Sequence, residues 1–284
     1  MRANFILILL LLFSACTEKI DINLNVGDNN RLVVEGGITN ELKIHTVKLT
    51  RSADYFSNEA PTPELNAQVS ISDGTTVFEL LDSNNDGIYE TQSPVAGKIE
   101  TEYTLNILLT DGSDYSAKAY MNDALKLDSL RYEYAYEFNY EKNDFDYVYK
   151  LFLFAQEPAT TGDYYLWDLY IDNQIETDTL RKKVITDDKN VNGSYIYNFE
   201  IFRIGNERIL ENETNIKVSM QAISKAQYDF MLSVLFETVM KGSPFDGPPA
   251  NIPTNLTNGA LGFFYANPII YTETTILKGQ NATK

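Results

Sequence analysis

The sequence predicts a mainly β protein: an N-terminal Ig-like β-sandwich followed by a second β-rich domain that carries one buried α-helix. Three observations predict it. Short alternating runs follow one another from residue 31, separated by turns such as Asp73-Gly74 and Asp111-Gly112. Glycine there accepts the positive φ of a tight hairpin. A single window, near residues 224–241, repeats its apolar residues with helical spacing. Tyrosine (19) and phenylalanine (15) are abundant and the charged fraction is an ordinary 22%, which marks a chain that buries a core.

The elements follow in order. Residues 1–15 read as a signal peptide: Arg2 supplies a positive charge, and Phe5 to Phe13 is an unbroken apolar run. That run is shorter than the ~20 residues a membrane-spanning helix needs. Leu12-Phe13-Ser14-Ala15-Cys16 resembles the bacterial lipobox, in which the cysteine is alkylated by a diacylglycerol and becomes the mature N-terminus. Cys16 is the only cysteine of the chain and stands where a lipobox cysteine must stand, so it is the expected lipidation site. Two or more acyl chains make such an anchor stable. Residues 16–30 then read as the lipidated cysteine and a polar tether, whose 14 residues from Thr17 to Asn30 reach about 45 Å at ~3.3 Å per residue.

The first β domain spans residues 31–122. Its expected strands are Arg31–Glu35, His45–Arg51, Ala67–Ser72, Thr76–Leu81, Ile88–Thr91, Tyr103–Leu109 and Tyr115–Tyr120. Gly36-Gly37 and Asp86-Gly87 are expected turns between them. Seven short strands with frequent turns suit a sandwich of Ig-like size.

The second domain spans residues 123–277. Ser129–Tyr140, Tyr147–Gln156, Tyr164–Asp172, Ile175–Val184, Ser194–Arg203 and Asn215–Ala222 read as strands. The helix opens on Ser224 with Gln227 three residues on, a capping box. Tyr228, Met231, Leu232, Leu235 and Val239 share one face, and Gly242 stands at the expected C′ position. A proline-rich loop, Ser243–Asn258, and two strands near Leu261–Tyr265 and Ile269–Thr275 close the domain. Residues 278–284 are expected to fray.

Composition excludes several functions. A net charge of −17 excludes a general nucleic-acid binder, which needs a basic surface. One histidine and one cysteine exclude a Cys/His zinc cluster and an intrachain disulfide. Neither G-x-S-x-G nor a phosphate-binding glycine loop occurs, so a Ser-His-Asp hydrolase would depend on His45 alone.

Two segments carry candidate chemistry. Asp82-Ser83-Asn84-Asn85-Asp86-Gly87 fits D-x-N-x-D-G, the opening of a Ca²⁺ loop, with Glu90 at position nine. Hard Ca²⁺ takes such oxygens, but position twelve is Ser93 where a bidentate glutamate belongs. The same residues also suit an acidic hairpin turn. Tyr132, Tyr134, Tyr136, Phe138 and Tyr140 alternate, so a strand points all five to one face. That face is either an aromatic platform for a sugar or protein, or a sheet surface covered from within.

The closing segment Gly242-Ser243-Pro244-Phe245-Asp246, Pro248-Pro249, Asn251-Ile252, Asn258-Gly259 and Gly262-Phe263-Phe264 resembles that of the DUF4249 family. Ile223-Ser224-Lys225, Leu32 to Ile38 and Val47 to Ser52 resemble it elsewhere, over nearly all of the mature chain. The resemblance implies an outer-membrane lipoprotein of Bacteroidetes, with no catalytic residues to carry over and with a TonB-dependent receptor as a plausible partner. The expectation is therefore a non-enzymatic lipoprotein, anchored to the outer membrane by acylated Cys16, that binds a ligand or partner beside such a transporter. A structural or adhesive envelope protein, and a glycan hydrolase working through carboxylates, stay open as alternatives. No cofactor is expected beyond Ca²⁺ at the Asp82 loop.

Overall fold

The computed structural model describes residues 30–53, 60–123, 126–140, 142–205, 210, 213–239 and 251–277. The expected signal peptide, Cys16, the tether as far as residue 29, Gly242 and the tail from residue 278 lie outside the described residues.

Among the described residues, the chain is mainly β with one α-helix. Its first unit holds β1 (Leu32–Thr39), β2 (Thr46–Arg51), β3 (Gln68–Ser72), β4 (Val77–Leu81), β5 (Ile88–Thr91), β6 (Thr101–Leu108) and β7 (Asp114–Met121). Alternate residues turn inward. Val34, Val47, Leu49, Ile71, Leu105 and Ile107 are buried in one core with Phe264. Fully burying each such side chain contributes about 1.5–3 kcal/mol.

An eighth strand, β15 (Leu261–Asn267), completes this sheet in the order β15-β1-β2-β5-β4-β3-β6-β7. It pairs in parallel with β1, from Val33 opposite Leu261 to Thr39 opposite Asn267. The sheet curls until β15 lies beside β7, giving a nearly closed, barrel-like sandwich. Leu256 forms an antiparallel bridge to Ala117 of β7.

The expected division at residues 122/123 therefore needs correction. Residues 251–267 belong to the first unit, and Leu256, Ala260, Phe264 and Ala266 sit in its core. A local pattern shows that residues 261–267 form a strand, but not which sheet receives it. Gly36-Gly37 is corrected too: it lies inside β1 and is not a turn. A Cβ at Gly36 would come within 2.3 Å of the Thr46 carbonyl oxygen, and one at Gly37 within 2.1 Å of the Tyr265 carbonyl oxygen. These glycines allow neighbouring backbones to approach closely.

The second unit is built from two sheets. One has the order β13-β9-β8, from β8 (Lys126–Asn139), β9 (Asp144–Gln156) and β13 (Tyr195–Gly205). The other runs β11-β10-β14-β16, from β10 (Tyr164–Ile171), β11 (Gln174–Ile175), β14 (Thr214–Ile223) and β16 (Ile269–Ile276), with β12 (Val184–Asp187) also paired to β10. Leu130, Leu151 and Leu153 from the first sheet meet Trp167, Val218 and Met220 from the second in a shared core.

The expected strand Ile175–Val184 is not continuous. After β11 the chain makes a 3₁₀ turn at Leu180–Lys182 before β12. Its cause is a buried carboxylate. Asp168 accepts 2.6 Å from the Thr177 hydroxyl and pairs with the Lys183 ammonium, so the segment wraps around it.

Helix α1 (Lys225–Thr238) starts as the sequence requires, with the Ser224 hydroxyl oxygen accepting from the Gln227 N–H at 3.1 Å. It rests on β10, β15 and the 3₁₀ turn. Tyr228 meets Tyr164 at 4.7 Å and Phe230 meets Phe263 at 5.2 Å. Its apolar face is covered less deeply than expected: Gln227 is buried, whereas Tyr228, Met231, Leu232 and Leu235 are half-buried. The helix lies along the seam between the units and not inside either core.

Candidate functional site: an aromatic ribbon beside an apolar cavity

β8 and β9 form the longest hairpin among the described residues. Tyr134 stands opposite Tyr149, Tyr136 opposite Tyr147, and Phe138 opposite Phe145. Opposed side chains share a face, so the alternation read in β8 is matched by a second rank from β9. The rings are in contact. Tyr134 stacks on Tyr147 at 4.9 Å and 11°, Tyr136 on Phe145 at 5.4 Å and 27°. Phe138 meets Phe145 edge-on at 5.4 Å.

This face starts inside the protein and ends outside it. Leu130 and Leu153 lie in the second core, and Tyr132 and Tyr149 pack against its margin. The Tyr132 hydroxyl accepts from the Leu277 N–H at 3.2 Å. Among the described residues β13 pairs with β9 as far as Val148, and beyond it the hairpin runs on as a two-stranded ribbon. There Tyr136 is 56% exposed, Phe145 53% and Phe138 39%. Tyr140 lies beyond the strand in the turn, 88% exposed, with its ring edge-on to Phe138 at 5.2 Å. The two sequence readings thus divide along one strand: covered at Tyr132, open from Tyr136 outward.

Ion pairs hold the reverse face. Lys150 contacts Glu137 at 2.7 Å and Glu200 at 3.6 Å, while Arg203 contacts Glu137 at 3.0 Å and also pairs with Glu200. The hydrogen bond from Lys150, helped by Arg203, holds the Glu137 carboxyl below its usual value. These contacts tie β8, β9 and β13 together at the root of the ribbon.

Between the sheets of the second unit is a cavity of about 160 Å³. Leu153, Tyr165, Trp167 and Phe199 line it, with Glu157 and Asn190 among its polar groups. Trp167 donates to the Thr186 hydroxyl at 2.9 Å, and Tyr165 donates to Glu157 Oε1 at 2.7 Å. Burial pushes the Glu157 carboxyl up, against the hydrogen bond from Tyr165, and Asp163 and Asp188 push it further. Oxygens of Glu157, Asp163 and Asp188 lie within 4.8 Å of one another.

The other expected groups are placed differently. Asp82 accepts from the N–H groups of Asp86 (3.2 Å) and Gly87 (3.0 Å), and Asp86 from that of Ile88 (2.9 Å). Asn84 is exposed in the same turn, and Glu90 is exposed on β5. The Asp82 carboxylate closes the β4–β5 hairpin as its own cap. His45 is buried and donates from Nε2 to the Val95 carbonyl at 2.8 Å, with burial lowering its pKa. Residues 255–258 lie across a sheet edge: Thr257 N–H bonds to Ser116 O at 2.9 Å, and the Asn258 side chain to Asp114 O at 2.7 Å.

The carboxylate cluster had a signal in the sequence. Asp188-Lys189-Asn190-Val191-Asn192-Gly193 has the D-x-N-x-N-G spacing, like the segment at Asp82. Its partners Glu157 and Asp163 come from the β9–β10 connection, which a local motif does not reach.

Fold and surface define a β protein of two interlocked cores whose most distinctive exposed feature is an aromatic ribbon. Among the described residues, no helix is long and apolar enough to cross a membrane. The sequence model of the family described as a domain of unknown function (DUF4249) matches residues 17–269, and the chain belongs to that family. No curated protein matches the chain.

Proposed function

We propose that this protein is a lipid-anchored envelope protein, held at the outer membrane through acylated Cys16, that binds a partner as an accessory of a TonB-dependent transporter. The observation that carries the reading is the open end of the ribbon. Tyr136, Phe138, Tyr140, Phe145 and Tyr147 expose contiguous rings on one face of a two-stranded hairpin, already ordered by ring stacking. Rigid aromatic rings anchor interfaces because they bury much area at little entropic cost. The acidic chain is repelled by anionic headgroups, so in this reading the lipid supplies the membrane attachment.

The test is isolation of the native, lipidated protein from membranes in gentle detergent. A large barrel protein co-isolates with the wild type, and less of it with a Tyr136→Ala/Phe138→Ala variant. Recovery of the wild type alone would count against the partner. An unmodified Cys16 sulfur by mass spectrometry would count against the anchor.

A further inference from the structure

The meeting of two connections in the second unit has chemistry that the aromatic ribbon does not use. The β9–β10 connection and the β12–β13 turn are held together by backbone bonds: Asp188 N–H to Asp163 O at 3.1 Å, Gly193 N–H to Pro158 O at 2.9 Å, and Glu157 N–H to Ser194 O at 3.1 Å. Three carboxylates from these two segments converge within 4.8 Å. Glu157 is 1% exposed and Asp188 is 2% exposed. Among the described residues, none of the three forms an ion pair; the nearby Lys189 pairs with Asp187 at 2.7 Å.

Among the described residues, two buried oxygens at this junction lack partners. Glu157 Oε1 accepts from Tyr165, but Oε2 has no hydrogen-bond partner, and neither has Asn192 Oδ1. Buried acceptors are nearly always satisfied, because an unmet one keeps its full desolvation cost. Both orphans are hard oxygens: an amide oxygen only accepts, and so does a carboxylate oxygen in its ionised form. Like charges gathered in a dry place call for a positive charge as well as a hydrogen-bond donor.

We infer that Glu157, Asp163, Asp188 and Asn192 hold a divalent cation, Ca²⁺, at the rim of the apolar cavity. Oxygens opposite each other across Ca²⁺ stand about 4.6–5.2 Å apart, twice the usual ~2.3–2.6 Å bond, so the three carboxylates fit around one ion. The donor set is all oxygen, without histidine or thiolate, which suits a hard cation. Asp188, Asn190 and Asn192 occupy positions one, three and five of the D-x-N-x-N-G spacing. Gly193 takes φ +70° at position six, where a Ca²⁺ loop makes its sharp turn. Asp188 keeps its Oδ2 bond to the Gly162 N–H at 2.9 Å, and Asp163 its bond from Thr160 at 2.8 Å, which orient the carboxylates. Glu157 and Asn190 also line the cavity, so the ion fixes part of its wall.

The test uses the full-length lipidated protein in detergent, stripped with a chelator and returned to CaCl2, MgCl2 or neither. With Ca²⁺ at about ten times its Kd, the melting temperature rises by ~3–5 °C, and by less with equal Mg²⁺. Tb³⁺ in place of Ca²⁺ luminesces on excitation of Tyr165 and Trp167, and Ca²⁺ quenches the signal. Asp188→Asn and Glu157→Gln each abolish the shift and the luminescence, while Asp82→Asn keeps both. Should Asp188→Asn fail to fold, Glu157→Gln decides, since it keeps shape and removes charge. No shift and no luminescence in the wild type would overturn the inference, as would a shift that survives in Glu157→Gln. Neither outcome bears on whether a barrel co-isolates.

Discussion

The side chain of Asn40 meets Ile269 as one more residue of a strand would. Its Nδ2 donates to the Ile269 carbonyl at 3.2 Å and its Oδ1 accepts from the Ile269 N–H at 2.7 Å. The bond pair continues the β1–β15 ladder past Pro268. Asn255 repeats the device on Phe264, at 2.7 and 3.1 Å, and adds a bond to Lys118 O at 3.1 Å that ties β15 to β7. Only an amide can both donate and accept there. Asn40→Asp and Asn255→Asp are each expected to cost about 2–4 kcal/mol, since a carboxylate oxygen then faces a carbonyl. The check is a lower denaturant midpoint at unchanged slope; an unmoved midpoint in Asn255→Asp would contradict the role.

Asp168 and Lys183 form an ion pair at the seam between the units. Asp168 is 2% exposed and also bonds Thr177, while Gln221 approaches at 3.5 Å and passes the network to Asn267. Lys183→Met leaves a buried charge unpaired and should cost about 3–5 kcal/mol. Asp168→Asn/Lys183→Met should recover most of that loss. A double-mutant cycle by equilibrium unfolding measures the coupling, and additive single effects would show that the pair is not coupled.

Along the ribbon, stability and binding should separate. Tyr136→Ala removes an exposed ring and should cost about 1 kcal/mol or less, the worth of its ring contacts. Leu151→Ala, buried where the same face enters the core, should cost about 2–5 kcal/mol. Partner capture should fall in the first variant while its melting curve stays close to that of the wild type. Equal capture by Tyr136→Ala/Phe138→Ala and wild type would remove the ribbon from the interface.

Asp73 makes the fold sensitive to acid. The Thr76 N–H (2.6 Å), the Thr75 hydroxyl (2.8 Å), the Thr75 N–H (2.9 Å) and Lys98 (3.3 Å) hold its carboxyl far below the ordinary 3.8. A depressed folded pKa contributes stability that is present above the unfolded value and is lost as pH falls below it. Asp73→Asn should cost about 1–2 kcal/mol at neutral pH, and its deficit should shrink below pH ~3.8. Unfolding curves at pH 7 and pH ~2.5 test this; a deficit constant with pH would refute it.

Local signals in the sequence identified the strands but not all of their neighbours. The alternation of Val47, Leu49, Ile71 and Leu105 marks strands because each reports its own buried face. Ser224 and Gln227 mark the helix start for a similarly local reason. What escaped was nonlocal. Nothing in Leu261–Asn267 says that its partner is β1, and Thr177 gives no sign that it will turn toward Asp168. The aromatic face shows the same divide: alternation supplied Tyr132 to Phe138, but where cover stops depends on β13, whose pairing with β9 among the described residues reaches Val148.

The pairing of β1 with β15 also dictates when the protein can become whole. Arg31 reaches the Gly259 carbonyl at 2.7 Å across 228 positions of sequence. A chain emerging amino end first holds β1 with one flank bare until nearly everything else has been made. The last two strands then complete two of the three sheets together, because β15 joins the sheet of the first unit and β16 joins β14 in the second unit. Clipping the chain ahead of residue 251 should therefore cripple both halves at once, and the growing polypeptide needs a chaperone or a rapid passage to shield that waiting edge from neighbours.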